Sequence, residues 1–245
     1  MITSILLLFV SSIAGGLIGI RLRKIPAKYF SFILVFAGAY LFAITIIHIL
    51  PELFIQASQP LLVGAIVLAG FYLQQMLEYI TRGAEHGHLH HPSKDHHHLT
   101  STGLALLSGL SVHAFLEGTI LAKPMVGSGA IDSLLVGIIL HKIPAAFAMM
   151  TILTCCYPSN TKPLIYLFLF SLASPLGLML NQAALSSHFL NNAYQEIIYA
   201  LVGGSFMHIS TTIVFEGNPG HALALSKLLT GLLGASLAIA IALIS

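Results

Sequence analysis

Three side chains that can bind a metal ion lie in two neighbouring apolar runs of the sequence. His113 and Glu117 are four residues apart, so on a helix they would lie on one face. His141 lies in the next apolar run, three residues before Pro144. Two imidazoles and a carboxylate suit a divalent transition metal such as zinc. The residue types and their spacing therefore predict a metal site that the two runs share.

The depth of these residues indicates that they can meet. The two runs, 103–122 and 133–154, are each long enough to cross a membrane as a helix. With a rise of about 1.5 Å per residue, His113 would lie about 15 Å from the inner end of the first helix, and His141 about 12 Å from the outer end of the second. Ionisable groups near the middle of a membrane are costly and usually functional. We therefore expect His113, Glu117 and His141 within about one helical turn of the same depth.

Two unusual residues follow His141 in the second run. Lys142 carries an ammonium group that must face a cavity, reach the interface or pair with a carboxylate, and Glu117 is the nearest carboxylate by depth. We hypothesise that Lys142 places a fixed positive charge where a second metal ion would otherwise bind. Pro144 cannot donate a hydrogen bond to the Leu140 carbonyl, so this oxygen would be available beside His141.

Ionisable residues in other apolar runs are candidates for relay sites along a metal path. His48 and Glu52 form a second His-x3-Glu pair at the outer end of the second run, and His208 and Glu216 lie in the seventh. For the two histidines, a hydrogen bond between helices is the alternative to metal binding. Glu78, near the inner end of the third run, is expected at the membrane interface.

The composition indicates a membrane protein. Of 245 residues, 57% are hydrophobic and 7% are charged, whereas soluble domains average about 45–50% and about 25%. We predict an all-α membrane protein with eight transmembrane helices in a single domain, 1–245. No basic stripe favours a nucleic-acid partner. The predicted spans are 2–20, 29–50, 60–80, 103–122, 133–154, 163–185, 194–216 and 223–244.

The distribution of basic residues predicts the orientation. Lysine and arginine concentrate in the first, third, fifth and seventh loops, whereas the fourth loop has only Lys123. Because cytoplasmic loops carry the excess of positive charge, both termini are predicted to lie outside. The short loops favour a bacterial inner membrane. The basic residues in the first, third and fifth loops, and the one just after the seventh, are Arg21, Arg23, Lys24, Lys28, Arg82, Lys94, Lys162 and Lys227.

The one long connection, 81–102, is rich in histidine. It holds seven of the thirteen histidines of the chain and has no apolar face to bury, which predicts a flexible cytoplasmic loop. Imidazoles at this density bind ions such as Zn²⁺, Ni²⁺ or Cu²⁺. We predict metal binding by this loop, with a solubilising spacer as the alternative. The seven residues are His86, His88, His90, His91, His96, His97 and His98.

Three short motifs resemble those of the ZIP (Zrt-, Irt-like) family of divalent-metal transporters. Residues 113–118 read His-Ala-Phe-Leu-Glu-Gly, which is similar to the family's His-Ser/Asn-x-x-Glu/Asp-Gly. Residues 141–145 read His-Lys-Ile-Pro-Ala, which is similar to His-Glu/Asn/Lys-x-Pro-His/Glu. Residues 48–52 read His-Ile-Leu-Pro-Glu, which resembles the family's His-x-x-Pro-Glu at the end of the second span. The resemblance covers essentially the whole chain.

The resemblance implies import of Zn²⁺ or a related divalent ion toward the cytoplasm. It also implies that helices one to three and six to eight are an inverted repeat around helices four and five, which hold the metal. The chain departs from the family pattern at Ala114, Lys142 and Ala145. Because Ala145 cannot bind metal, we expect one ion in the site and not two. Fe²⁺, Mn²⁺, Co²⁺, Ni²⁺ and Cd²⁺ also fit the ligand set.

Other functions fit the sequence less well. A metal exporter of the cation diffusion facilitator type usually has six spans and a soluble cytoplasmic domain, and a nickel/cobalt permease is a further alternative. An intramembrane zinc hydrolase would need an open metal position and a general base. A membrane metal sensor would leave the midplane ligands unexplained. We therefore predict a transporter and not an enzyme, with metal ions and the lipid bilayer as partners and a homodimer as a compatible assembly.

Overall fold

A computed structural model describes residues 1–22, 27–81, 96–122, 128–157, 159–187, 192–216 and 225–244. For several residues at helix ends, namely 27–28, 96–102, 128–132, 192 and 215–216, it describes the backbone alone. All regular secondary structure in these ranges is helical. This agrees with the predicted all-α membrane protein, because helices pair the backbone amides and carbonyls that lipid cannot hydrogen-bond.

In the described part of the chain, eight helices, α1 to α8, are long and apolar enough to cross a membrane, which agrees with the predicted number. Helix α4 begins at His96, earlier than the predicted start at residue 103, so its first residues extend into the segment expected as a loop. The bounds are α1 Ile2–Arg21, α2 Ala27–Ile44 continuing through Thr45–Ile49 and Leu50–Gln56, α3 Pro60–Thr81, α4 His96–Ile120, α5 Ser128–Cys156, α6 Thr161–Ser186, α7 Asn192–Thr211 continuing through Thr212–Glu216, and α8 Leu225–Ile244.

Helices α2 and α7 each contain a π-helical turn near their carboxyl ends, at Thr45–Ile49 and Thr212–Glu216. In α2 the turn directly precedes the segment in which Pro51 lies in the first turn. Proline removes an amide donor, and local widening of a helix is a common adjustment beside such a gap. The two π turns occupy corresponding places in the predicted inverted repeat, since α2 of one half corresponds to α7 of the other.

The helix packing has the symmetry that the predicted repeat implies. The most extensive pairings are α1 with α5, α4 with α6, α2 with α8, and α3 with α7. The repeat exchanges helices one to three with six to eight, and helix four with five. This exchange converts the α1–α5 pairing into α4–α6, and the α2–α8 pairing into α3–α7. Two groups follow from these pairings and from the contacts of α1 with α6 and of α2 with α7. Helices α1, α4, α5 and α6 form one group, and α2, α3, α7 and α8 form the other.

The pairing of α4 with α6 brings the two backbones into direct contact. A Cβ atom on Gly118 would overlap the Ser174 carbonyl oxygen, and one on Gly177 would overlap the Phe115 carbonyl oxygen. Small residues that permit such close approach are the usual basis of helix packing in membranes, because no hydrophobic effect drives helices together there. Helix α4, which holds His113 and Glu117, is therefore seated closely against α6.

Candidate metal site

The three predicted metal ligands meet between α4 and α5. His113 and Glu117 share one face of α4, with 2.8 Å between His113 Nε2 and Glu117 Oε1. His141 on α5 places its Nε2 3.9 Å from the same carboxylate oxygen. The two imidazole rings are nearly perpendicular, with their centroids 5.7 Å apart. The exposed fractions of His113, Glu117 and His141 are 3%, 1% and 1%, so all three lie deep in the protein.

The arrangement is close to what a single metal ion requires. One ligand atom from each of the three residues lies within 4.8 Å of the others. Two ligands at about 2.1 Å from a tetrahedral zinc ion are about 3.4 Å apart. A small movement of the side chains would therefore bring the three ligand atoms onto one ion and leave a fourth position for water or a transient ligand.

Lys142 forms the ion pair with Glu117 that its depth predicts. Its Nζ lies 2.8 Å from Glu117 Oε2, and both side chains are 2% exposed. The two carboxylate oxygens therefore serve different partners, since Oε1 faces the histidines and Oε2 binds the lysine. With neutral imidazoles, the carboxylate and the ammonium balance each other, and a bound divalent ion would add two positive charges to the cluster.

Helix α6 supports the turn of α4 that carries the site. The Ser174 hydroxyl donates to the Ala114 carbonyl oxygen at 2.5 Å, directly after His113 in the chain. Pro144 lies inside α5, which continues as a helix to Cys156. The proline therefore removes one amide donor close to His141 without ending the helix.

Comparison with known proteins identifies the family. The family model of the ZIP zinc transporter matches residues 84–242, which is more than half of the chain. The chain belongs to the ZIP zinc transporter family. The matched range includes α4 and α5, and therefore all three candidate ligands.

Two curated relatives are similar to this ZIP family chain. The zinc transporter ZIP9 of Micropogonias undulatus is 27% identical over 174 residues, which are 67% of this chain and 54% of that protein. The protein zntD of Dictyostelium discoideum is 27% identical over 150 residues, which are 57% of this chain and 22% of that protein. The alignments thus span about half of ZIP9 and about a fifth of zntD. Membership of a family of transporters supports the prediction that the protein is not an enzyme.

The predicted relay residues of this ZIP protein fall into two separate places. His208 on α7 lies 2.5 Å from Glu78 on α3, and the Glu78 side chain is only 18% exposed. Glu78 faces α7 because α3 and α7 pack closely. Its expected position at the membrane interface stays a prediction. The predicted partner Glu216 lies on the π turn of α7, and its side chain is outside the described part of the chain.

A second polar contact adjoins the His208–Glu78 pair. Ser205 donates to Gln74 Oε1 at 2.9 Å, one helical turn away on each of α7 and α3. Sequence reasoning did not find Gln74, and it did not pair Glu78 with His208. The signal that was available is their spacing of four residues, which places both on the face of α3 that meets α7.

The outer relay residues lie apart from the buried cluster. His48 is in the π turn of α2 and Glu52 is in the following turn, and both are partly exposed. The Gln56 side-chain amide donates to the Glu52 carboxylate. Among the residues that the structure describes, the group of three close enough to share an ion is His113, Glu117 and His141.

The histidine-rich segment lies mostly outside the described residues. His86, His88, His90 and His91 are not described, and His96, His97 and His98 are described only as the backbone of the first turn of α4. Metal binding by this segment therefore stays a prediction from the sequence.

Proposed function

We propose that this ZIP family protein carries a divalent transition-metal ion, with Zn²⁺ as the main substrate, across the membrane toward the cytoplasm. The observation that supports the proposal most directly is the cluster of His113, Glu117 and His141. Ionisable side chains buried in the middle of membrane helices are costly, so a cluster that could hold one ion is best explained as part of an ion path.

The chemistry of the cluster favours zinc. Imidazole and carboxylate ligands suit a cation of borderline softness, and a site with three protein ligands keeps one position open. A transport site needs this property, because the ion must enter and leave. One of the relatives is itself named a zinc transporter. Fe²⁺, Mn²⁺, Co²⁺, Ni²⁺ and Cd²⁺ fit the same ligands, so each is a candidate competitor in a transport assay.

We also propose that the site holds one metal ion, with Lys142 in place of a second. The ammonium group binds Glu117 Oε2 at 2.8 Å, which is the side of the carboxylate that a second ion would share. A fixed positive charge there neutralises the carboxylate when no metal is bound. Ala145, where a ligand of the family motif would stand, is 4% exposed and has no group that binds metal.

The relay sites extend the proposed path in both directions. By the predicted orientation, His48 and Glu52 lie on the outer side of the buried cluster, and His208 lies on the inner side. The contact with Glu78 makes His208 part of a histidine–carboxylate pair, which can bind a metal ion better than an isolated histidine. The histidine-rich segment would then receive or buffer metal on the cytoplasmic side.

Uptake of ⁶⁵Zn into vesicles of known orientation tests this function. The wild-type protein is expected to move zinc from the outer to the cytoplasmic face, and His113→Ala and His141→Ala are expected to reduce uptake at least about tenfold, because each removes one of three side-chain ligands. His221→Ala, in the predicted loop between α7 and α8, is the matched histidine control and should retain uptake.

The alternatives predict different results in the same assay. Movement of zinc only toward the outside would replace the importer with an exporter. Zinc binding without flux in either direction would favour the sensor or the hydrolase. Retained uptake in both His113→Ala and His141→Ala would show that the path does not use this cluster.

A further inference from the structure

The Lys142 ammonium lies between two partners from different helices. Glu117 Oε2 on α4 is 2.8 Å away, and the centroid of the Phe170 ring on α6 is 5.3 Å away. Phe170 and Lys142 are each 2% exposed, so water does not screen the interaction between the ring and the ammonium. The carboxylate and the aromatic face thus bind one buried cation together.

The distance from Lys142 to the ring is within the range of a cation–π interaction. A cation within about 6 Å of the ring centroid is attracted by the negative face of the ring, and the attraction grows when the groups are shielded from water. Lys142 is also the charge that the site must accommodate when a divalent cation arrives. Contacts that hold the ammonium in its present position therefore affect how tightly the site binds metal.

We propose that Phe170 is a positioning residue of the transport site, whose ring holds the Lys142 ammonium at Oε2 of Glu117 and thereby leaves Oε1 for the metal. This inference rests on the proposed function. Phe170 lies on α6, outside the two helices that provide the ligands, and contains no atom that could bind the ion.

The proposal follows from the way in which Glu117 is shared. A metal ion at Oε1 withdraws negative charge from the carboxylate, which weakens the attraction between Oε2 and Lys142 and adds repulsion between two cations. When no metal is bound, an ammonium less attracted by the ring can move to bridge Oε1 and Oε2 of Glu117. With metal at Oε1 this alternative is closed, so the Phe170 ring stabilises the metal-bound state more than the metal-free state. Without this attraction, Lys142 would be less stable beside the occupied site, and the site would bind zinc more weakly.

Phe170 also packs in an apolar cluster of the α1, α4, α5 and α6 group. Other buried members of this cluster include Leu106, Leu110, Met149 and Leu167. Truncating the ring would leave a cavity and destabilise the protein for reasons unrelated to Lys142. A decisive test must therefore change the electrostatics of the ring while keeping its size.

Stepwise fluorination of Phe170 meets this requirement. 4-Fluoro-, 3,5-difluoro- and 3,4,5-trifluorophenylalanine introduced at this position withdraw charge from the ring face in increasing amounts with little change of shape. We expect the zinc concentration for half-maximal uptake, and the zinc dissociation constant of the purified protein, to rise with each fluorine, by about two- to tenfold across the series.

Two controls separate positioning from packing. In the Lys142→Met background, the fluorinated proteins should all have the zinc dissociation constant of unfluorinated Lys142→Met, because no cation faces the ring. Fluorination of Phe206, a fully buried aromatic on α7, should also have no graded effect. Zinc binding is measured in every variant, so the comparison holds even where uptake is low.

Each outcome decides the proposal. A graded effect that requires Lys142 supports it. A flat series at Phe170 with normal wild-type uptake overturns it and leaves the proposed function standing, and an equal effect in the Lys142→Met background assigns Phe170 to packing alone. If the wild-type protein neither binds nor moves zinc, the proposed function fails and this inference fails with it.

Discussion

Glu117 is the residue on which the candidate site depends, because its two oxygens contact groups of different chemistry. Oε1 faces His113 and His141, which can bind metal, and Oε2 binds Lys142, which cannot. A carboxylate shared in this way can bind a cation on one side without leaving a buried charge unpaired on the other.

The role of Lys142 leads to a prediction about metal stoichiometry. In Lys142→Ala, we expect zinc bound at saturation to exceed that of the wild type by about one ion per chain, because the carboxylate oxygen that the ammonium now occupies becomes available. We also expect uptake to fall. Without metal, the variant should be destabilised by about 3–5 kcal/mol, the usual effect of removing one partner of a buried ion pair. Zinc should restore part of this stability, because it binds the folded state.

Elemental analysis of the purified variant, ⁶⁵Zn uptake and thermal unfolding with and without zinc measure these effects. Lys162→Ala is the matched control, since Lys162 is an exposed residue at the start of α6. Unchanged stoichiometry and unchanged uptake in Lys142→Ala would remove Lys142 from the site.

At the scale of the helices, the contact of α4 with α6 decides where the ligands lie. Gly118 follows Glu117 directly and meets the Ser174 carbonyl oxygen, while the Ser174 hydroxyl holds the Ala114 carbonyl oxygen. These contacts involve the backbone, so they hold α4 at a depth and rotation that side-chain rearrangement cannot easily change.

Gly118→Ala should therefore impair the protein although alanine favours helices. The new methyl group would collide with the backbone of α6, and we expect a lower unfolding temperature and at least a severalfold loss of zinc uptake. Gly231→Ala on α8 is the matched control, because there a Cβ would meet Ala39 Cβ and Val35 Cγ1 at 3.7 Å, an ordinary contact. Its stability should be unchanged or raised by up to about 1 kcal/mol. Equal behaviour of the two variants in both measurements would contradict this account.

The α3–α7 contact shows what spacing along one helix can and cannot indicate. Gln74 and Glu78 lie on one face of α3, and this much was readable from the sequence. Their partners Ser205 and His208 lie 131 and 130 residues further along the chain. Only the packing of the two helices connects these residues.

For the whole molecule, orientation decides which side of the membrane each proposed relay site faces. The prediction that both termini lie outside rests on the basic residues of the odd-numbered loops. The candidate site lies between α4 and α5 of one group of helices, and α2 and α3 of the other group contact these two helices. The proposed relay sites on α2, α3 and α7 therefore exchange sides if the orientation is reversed.

Cysteine labelling tests this orientation. In a background of Cys155→Ser and Cys156→Ser, we expect Ser58→Cys, between α2 and α3, to react with a membrane-impermeant maleimide in intact cells. Ser159→Cys, between α5 and α6, should react only after permeabilisation. Both serines are exposed, so accessibility within the protein is matched. The reverse labelling pattern would invert the topology and place His208 and Glu78 on the outer side of the cluster.

The sequence alone was sufficient for the number of spanning helices and for the three residues that meet between α4 and α5. The spans follow from the length and hydrophobicity of local runs, and the ligands follow from a four-residue spacing on one helix and from matching depth on the next. It also predicted the ion pair of Lys142 with Glu117, because a buried ammonium needs a carboxylate at its own depth.

The tertiary structure alone decided which helices meet. It placed Phe170 beside Lys142, paired Glu78 with His208, and brought the backbone of α6 against Gly118. Periodicity defines the face of a helix on which a residue lies, but not the helix that this face will contact. That choice depends on how closely the backbones of distant segments can approach, and this is a property of the packed protein as a whole.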